Sequence, residues 1–264
     1  MPETTILFIG DVVGGLGRRT LRALLPALLE EYAPTFVVVN GENAAGGVGI
    51  TPRTADDLFA AGADAITLGN HTYRHREVYP YLDGERPIVR PANFLRSQPG
   101  RGTTVVERDG VRLGVVNLSG NLFMKAGRPA FAEADAALGD LRDRADHVLV
   151  DVHAEATSEK VGMGWYLDGR VTAVVGTHTH VPTADARVLP GGTAYISDVG
   201  MTGPRGGVIG VRRDQAIEAM VTQMPVRFET SKDDPWINAV VIRASRPRRA
   251  DAIEQVLRAW PGGA

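Results

Sequence analysis

Two histidines separated by one residue follow an apolar run in Val174-Val175-Gly176-Thr177-His178-Thr179-His180. Paired imidazoles can bind one metal ion, or one each of two neighbouring ions. If the chain stays extended from Thr177 to His180, alternation turns both rings to the same side. The same grammar recurs along the chain. Thr5 to Ile9 leads into Gly10-Asp11, Thr35 to Val39 into Asn40-Gly41-Glu42-Asn43, and Ala65 to Leu68 into Gly69-Asn70-His71, while His147 to Val152 runs directly into His153. A buried strand followed by metal-competent polar residues suits an α/β sheet, where ligands gather at the carboxyl ends of strands.

The candidates are therefore Asp11, Glu42, Asn43, Asn70, His71, His153, His178 and His180. They exceed the needs of one metal and suit two. The chain has no cysteine, so any metal is held by nitrogen and oxygen, which fits Mn, Fe, Co or Zn better than copper or an iron–sulfur cluster. A carboxylate such as Glu42 can bridge two cations. Two metals roughly 3.5–4 Å apart lower the pKa of a bound water and neutralise both oxygens of an in-line displacement, so phosphoester hydrolysis is the natural chemistry. The glycine-rich turn after Asp11 matches neither dinucleotide-binding nor P-loop spacing, and a carboxylate there repels a bare phosphate.

These residues need strands to carry them and helices to cover the strands. Leucines at 21, 24, 25, 28 and 29 predict a helix from Arg18 to Tyr32, disturbed at Pro26. Thr51-Pro52 predicts a capped helix start, and Gly62 its end. A further helix is expected to begin with Thr72 to Glu77, and His75 to be a surface residue. Arg108-Asp109-Gly110 predicts a tight hairpin that opens a second sheet. Helices are expected over Ala130 to Ala145, over Asp214 to Gln223 with Asp214 as the cap, and over Arg249 to Trp260. Strands are expected over Ala186 to Leu189, Ala194 to Ser197, Pro225 to Glu229 and Ile237 to Arg243. Ser119 to Pro129, Gly162 to Gly169 and Asp198 to Gly207 read as loops, the last with no residue of evident chemistry. Glu155, Glu159 and Lys160 read either as groups supporting the site or as a solvated helix start.

Composition narrows the classes. A chain of 264 residues with an ordinary apolar fraction can bury a sizeable core, and a net charge of −2 argues against a strongly basic nucleic-acid surface. The cluster Arg246-Pro247-Arg248-Arg249 reads as a surface turn rather than a DNA contact. The start, Met1-Pro2-Glu3-Thr4-Thr5, lacks the pattern of a signal peptide, and no apolar run approaches membrane-spanning length. The expectation is one soluble, cytoplasmic domain spanning residues 1–264.

Asp11, Gly41-Glu42-Asn43, Gly69-Asn70-His71, His153 and Gly176-Thr177-His178-Thr179-His180 together resemble, in order and spacing, the metallophosphoesterase superfamily. Its usual Asp-x-His first block is here Asp11-Val12-Val13, without the histidine, and its usual Gly-Asp second block is Gly41-Glu42. Both departures are similar to the bacterial YmdB-like branch. The resemblance implies an α/β fold of two mixed sheets packed as a sandwich with helices outside. It implies hydrolysis of 2′,3′-cyclic nucleotides, with 3′,5′-cyclic nucleotides as poorer substrates. Asp11, Glu42, Asn43 and His180 would hold one metal, and Glu42, Asn70, His153 and His178 the other, with iron or manganese the favoured ions. A hydroxide bridging the two metals would attack phosphorus, and His71 would be the proton donor. A homo-oligomer acting on cyclic nucleotides or RNA-derived substrates is also implied. The alternatives are a phosphomonoesterase or protein phosphatase on the same site, and a nucleotide-binding regulatory module with vestigial activity.

Overall fold

The computed structural model describes residues 3–262; Met1 and Pro2, part of the start read above, lie outside them. The chain builds one sheet, crosses to a second, and returns to finish the first. The first stretch runs β1 (Thr4–Ile9), α1 (Gly14–Tyr32), β2 (Phe36–Asn40), α2 (Pro52–Ala61), β3 (Ala65–Thr67), α3 (Val78–Leu82) and β4 (Ile88–Val89), with all four strands parallel neighbours in sequence order. Strands β1, β2 and β3 are buried throughout, as continuous apolar runs covered on both faces must be. The second sheet opens with the hairpin β5 (Thr103–Arg108) and β6 (Val111–Ser119). Asp109 and Gly110 there take φ of 53° and 76°, the left-handed pair that a type I′ turn requires. It continues through α4 (Ala130–Asp140), β7 (His147–His153), α5 (Thr157–Leu167), β8 (Ala173–Thr177), β9 (Arg187–Val188) and β10 (Ala194–Ile196), giving the order β5-β6-β7-β8-β10-β9. The return adds β11 (Gly203–Pro204), α6 (Arg213–Thr222), β12 (Pro235–Ala244) and β13 (Ala252–Ala259); the first sheet is ordered β11-β12-β1-β2-β3-β4, with β13 also paired to β12.

Apolar contacts define the layers. Ile6, Phe8, Val38, Val240 and Ile242 of the first sheet share one buried cluster with Leu113, Val115, Leu149, Val175 and Ile196 of the second. Leu21, Leu25, Leu28 and Leu58 from α1 and α2 cover the outer face of the first sheet. Ala134, Leu138, Met163 and Leu167 from α4 and α5 cover that of the second. The result is the helix–sheet–sheet–helix sandwich expected from the resemblance.

Several local expectations give way to packing. The predicted final helix is the strand β13, paired with β12 from Trp236 to Arg243. Its Ala, Glu, Gln, Leu and Arg favour helix, but an open sheet edge with its unpaired backbone overrides that preference. No strand forms over Pro225 to Glu229, which runs mostly exposed along the surface without a sheet neighbour. The expected loop at Gly162 to Gly169 lies largely inside α5. Gly164 is there for close approach, since a Cβ would stand 2.5 Å from the Tyr195 ring. Turns occupy Thr72 to Glu77, and α3 starts only at Val78. α1 continues through Pro26, and α4 stops at Asp140. Arg212, not Asp214, holds the N-cap position of α6, with Asp214 in the first turn. The start of α2 follows expectation, with a reciprocal capping box between Thr51 and Thr54.

Candidate metal centre

The carboxyl ends of β1, β2 and β3 in one sheet and of β7 and β8 in the other meet at one end of the sandwich. Glu42 Oε1, after β2, lies 2.9 Å from His153 Nε2 at the end of β7. The backbone N–H of His178, after β8, donates to Asp11 Oδ2 after β1 at 3.2 Å. Gly69 follows β3 against this junction, and a Cβ there would come within 2.2 Å of Glu42 Oε2 and 2.4 Å of His153 Nε2. The glycine before the donors is thus a clearance requirement as well as a turn.

All the predicted residues join one network. Asn43 Nδ2 reaches Glu42 Oε1 and His180 Nε2, both at 3.1 Å. His71 Nδ1 lies 3.1 Å from Asn43 Oδ1 and 3.4 Å from Glu42 Oε1, and its backbone N–H donates to Glu42 Oε2. Asn70 Oδ1 lies 3.0 Å from His153 Nε2, and His178 Nδ1 lies 3.1 Å from the same nitrogen. One detail differs from expectation. The chain does not stay extended: His178 and His180 take φ of 98° and 67°. The rings converge through two left-handed residues, not through strand alternation.

Hydrogen-bond bookkeeping fixes where the lone pairs point. Thr177 Oγ1 donates to Asp151 Oδ1 at 2.7 Å, so at 2.8 Å it accepts from His153 Nδ1. Asp151 also accepts from Thr67 and from Asn40 Nδ2. Burial pushes the Asp151 carboxyl up to about 6 against the pull of His153 and these donors, leaving it ionised at neutral pH. His178 Nε2 lies 2.9 Å from Glu155 Oε2 and donates to it. Burial and the neighbouring His153 push His178 down to about 4, so its Nδ1 carries a lone pair. His180 Nδ1 donates to the carbonyl of Ile209 at 2.9 Å, which leaves the lone pair on Nε2, where it accepts from Asn43 Nδ2.

Glu42 Oε1, Asn70 Oδ1 and His178 Nδ1 therefore all present electron pairs around His153 Nε2, which has at most one proton to give. Burial opposes charge on His153, but Glu42 and Asp11 outweigh it and raise the ring to about 9. Glu42, also fully buried, is held well below the usual carboxylate range by His153 and His71 despite that burial. Asp11 Oδ1 is buried with no hydrogen-bond partner, and burial raises this carboxyl. Crowded lone pairs and an orphaned carboxylate oxygen are relieved together by cations, and Glu42, His153 and His178 offer ligand atoms within 4.8 Å of one another. The donor set fits transition-metal ions. Asn43 alone is turned away, with its oxygen on His71; it must flip its amide to serve as a ligand.

The sequence reading missed the layer behind these donors. Asp151 and Thr177 orient His153, and a carboxylate inside the apolar run His147 to Val152 was the available signal. Lys160 is no solvated helix start: it is buried, with Nζ on the Thr177 carbonyl at 2.9 Å and on Asp198 Oδ2 at 2.8 Å. Asp198, in the loop with no evident chemistry, also accepts from Thr179 N and Oγ1. Glu155 is the partner of His178. Glu159 accepts from the backbone of Asn121 and Leu122, tethering the loop Ser119 to Pro129, whose Leu122 and Phe123 stand exposed. His75 stays outside the network, on the carbonyl of Val48.

A model of YmdB-like proteins matches residues 7–256. The chain belongs to the YmdB-like family. It is 47% identical over 253 residues, 96% of both chains, to a Bacillus subtilis protein named 2′,3′-cyclic-nucleotide 2′-phosphodiesterase. A Mycoplasma genitalium relative, a putative phosphatase/phosphodiesterase, is 35% identical, covering 97% of this chain and 93% of that one. Among solved structures, a hypothetical protein from Thermus thermophilus superimposes with a TM-score of 0.91 at 40% identity, over 98% of this chain and all of that one. A family relative from Mycoplasma pneumoniae, described as a novel phosphatase, gives 0.90 at 34%, over 98% and 94%. Among the described residues, no helix is long and apolar enough to cross a membrane.

Proposed function

We propose that the protein is a metal-dependent phosphodiesterase that opens 2′,3′-cyclic nucleotides. The observation that carries this reading is the ring of lone pairs around His153 Nε2, in a chain 47% identical to a relative named for that reaction. Asp11, Glu42, Asn43 and His180 would hold one ion; Glu42, Asn70, His153 and His178 would hold the other, with Glu42 shared. Iron or manganese suits these hard oxygen and imidazole donors. Such ions supply an activated water and charge neutralisation at phosphorus.

This chain's own residues do the rest. Asp151 and Thr177 keep the His153 proton on Nδ1, and Glu155 keeps the His178 proton on Nε2. His71 is half-exposed at the rim, its Nδ1 engaged by Asn43 and Glu42, so its other ring nitrogen is the one to face substrate. There it protonates the departing ribose oxygen, a general-acid contribution of roughly 10²–10⁴-fold. On this proposal 3′,5′-cyclic nucleotides are poorer substrates, and the protein is a cytoplasmic homo-oligomer of one domain.

A hydrolysis panel tests it. Chelator-treated protein reloaded with Mn²⁺ or Fe²⁺ is expected to turn over 2′,3′-cyclic AMP faster than 3′,5′-cyclic AMP, p-nitrophenyl phosphate or a phosphopeptide. Preference for the monoesters would move the reading to a phosphatase, the activity in the description of the Mycoplasma pneumoniae structure.

A further inference from the structure

An apolar cleft of about 310 Å³ opens beside His180, and the network above makes no use of it. Pro182, Met201, Ile209, Arg205, Trp236 and Asn238 line it. Its walls come from β12 and from the segments that follow β8, β10 and β11. Along β12, Val240 and Ile242 face the opposite sheet while Ile237, Ala239 and Val241 face the helix layer, so the strand's period of two turns Trp236 and Asn238 inward. The Asn238 carbonyl accepts from the N–H of Gly10, the residue before Asp11.

Two features mark the cleft as a recognition site rather than a packing gap. Asn238 is 7% exposed and lines the cleft, and its side-chain amide is left free of hydrogen bonds to the other described residues. Open to the cleft, that amide offers a donor and an acceptor side by side, which a ligand edge carrying both an acceptor and a donor can engage. At the mouth, the Arg205 guanidinium lies 4.2 Å from the Trp236 ring centre, and Asp234 fixes the indole by accepting from Nε1 at 2.8 Å. This is a rigid stacked platform beside apolar walls. An alkyl chain has no use for the amide, whereas a planar heteroaromatic ring uses both its face and its edge.

Resting on the function proposed above, we propose that this cleft is the nucleobase subsite: it takes the base of a nucleotide whose phosphate lies at the histidine cluster, with His180 as the shared wall. In a 2′,3′-cyclic nucleotide the base and the reacting phosphate are carried on adjacent ribose carbons, so the two compartments must adjoin, and here they do. The ring inserts against Met201, Pro182 and Ile209, Asn238 pairs with its edge, and Trp236 with Arg205 closes over it. A purine exposes such a donor–acceptor edge to an asparagine amide most fully, so purines are the preferred bases.

The test compares kcat/KM for 2′,3′-cyclic AMP with that for propane-1,2-diol cyclic phosphate, which has the same reacting five-membered ring and no base. The wild-type protein should prefer the nucleotide by 100-fold or more. Trp236→Ala and Asn238→Leu should each cut that ratio at least ten-fold, chiefly through KM for the nucleotide. A wild-type ratio near one, or a ratio untouched in the surface variant Trp236→Ala, overturns the subsite while leaving the hydrolysis intact. If the wild type opens neither compound, the function proposed above fails instead, and adenosine alone decides the subsite. Its base protons should broaden on addition of wild-type protein and not of Trp236→Ala; no broadening with the wild type at millimolar adenosine overturns the proposal.

Discussion

The Lys160 ammonium lies 2.8 Å from Asp198 Oδ2, both side chains shielded from water, and the pair clamps the turn that presents His178 and His180. Lys160 holds the carbonyl of Thr177 and Asp198 holds Thr179, so each end of the left-handed turn is tied to a charged group. Gly176 permits this approach, since a Cβ there would collide with the Ser197 carbonyl and the Lys160 stem.

Lys160→Met leaves the Asp198 charge buried without its cation. The expected cost is about 3–5 kcal/mol of stability, with weaker metal binding because the histidine turn loosens. Thermal unfolding and Mn²⁺ titration check both effects. Unchanged stability would mean that the pair contributes nothing to the turn.

Thr177→Val removes the acceptor that fixes the His153 ring. Loss of such an outer partner typically lowers metal affinity by about 10–100-fold, and that drop is expected here. Titration with Mn²⁺ reads it directly, and wild-type affinity would contradict the relay from Asp151 to His153.

Gly69→Ala tests clearance at the centre. The added methyl would press on Glu42 and His153 together, so the variant should fold and yet hold less than the wild-type metal content. Full metal occupancy would show that the cluster can yield by more than the packing suggests.

The pH dependence follows from His153. In the metal-free chain its pKa is raised to about 9 by Glu42 and Asp11, whereas the unfolded ring titrates near 6.5. A raised pKa adds stability in full below pH 6.5 that is lost as pH climbs through about 9. The melting temperature of chelated protein should therefore fall across that window. A cation at Nε2 displaces the same proton, so Mn²⁺ binding at pH 7–8 should release about one proton per chain. Calorimetry in buffers of different ionisation enthalpy measures it, and a heat independent of buffer would contradict it.

The strand ends were legible because they combine two readable signals: a β-branched run that must be buried, and a glycine followed by donors. That grammar pointed to Asp11, Glu42, Asn70 and His180, and the strand end alone to His153, without any knowledge of sheet order. Lys160, Asp151 and Asp198 were not legible, because a single charge in a helix, a strand or a glycine-rich loop reads the same whether it is solvated or paired across the fold. The β13 error has the same origin. Local composition favoured helix, and only the neighbouring β12, eight residues away across a turn, made the extended form better. His178 and His180 come beside the other strand ends through a left-handed turn tied by Lys160 and Asp198, a backbone that spacing alone does not specify.

His71→Gln separates acid catalysis from metal binding. Turnover should drop by roughly 10²–10⁴-fold with bound metal unchanged. Loss of metal in this variant would reassign His71 as a ligand.

The central claim is that the strand-end cluster holds the metals on which hydrolysis depends. Chelated protein should be titrated with Mn²⁺ while 2′,3′-cyclic AMP hydrolysis and elemental content are followed together, with Glu42→Gln alongside. The account predicts no turnover without metal, saturation at two ions per chain, and loss of both metal and activity in Glu42→Gln. Full turnover in metal-free protein, or a fully loaded and active Glu42→Gln variant, would contradict it.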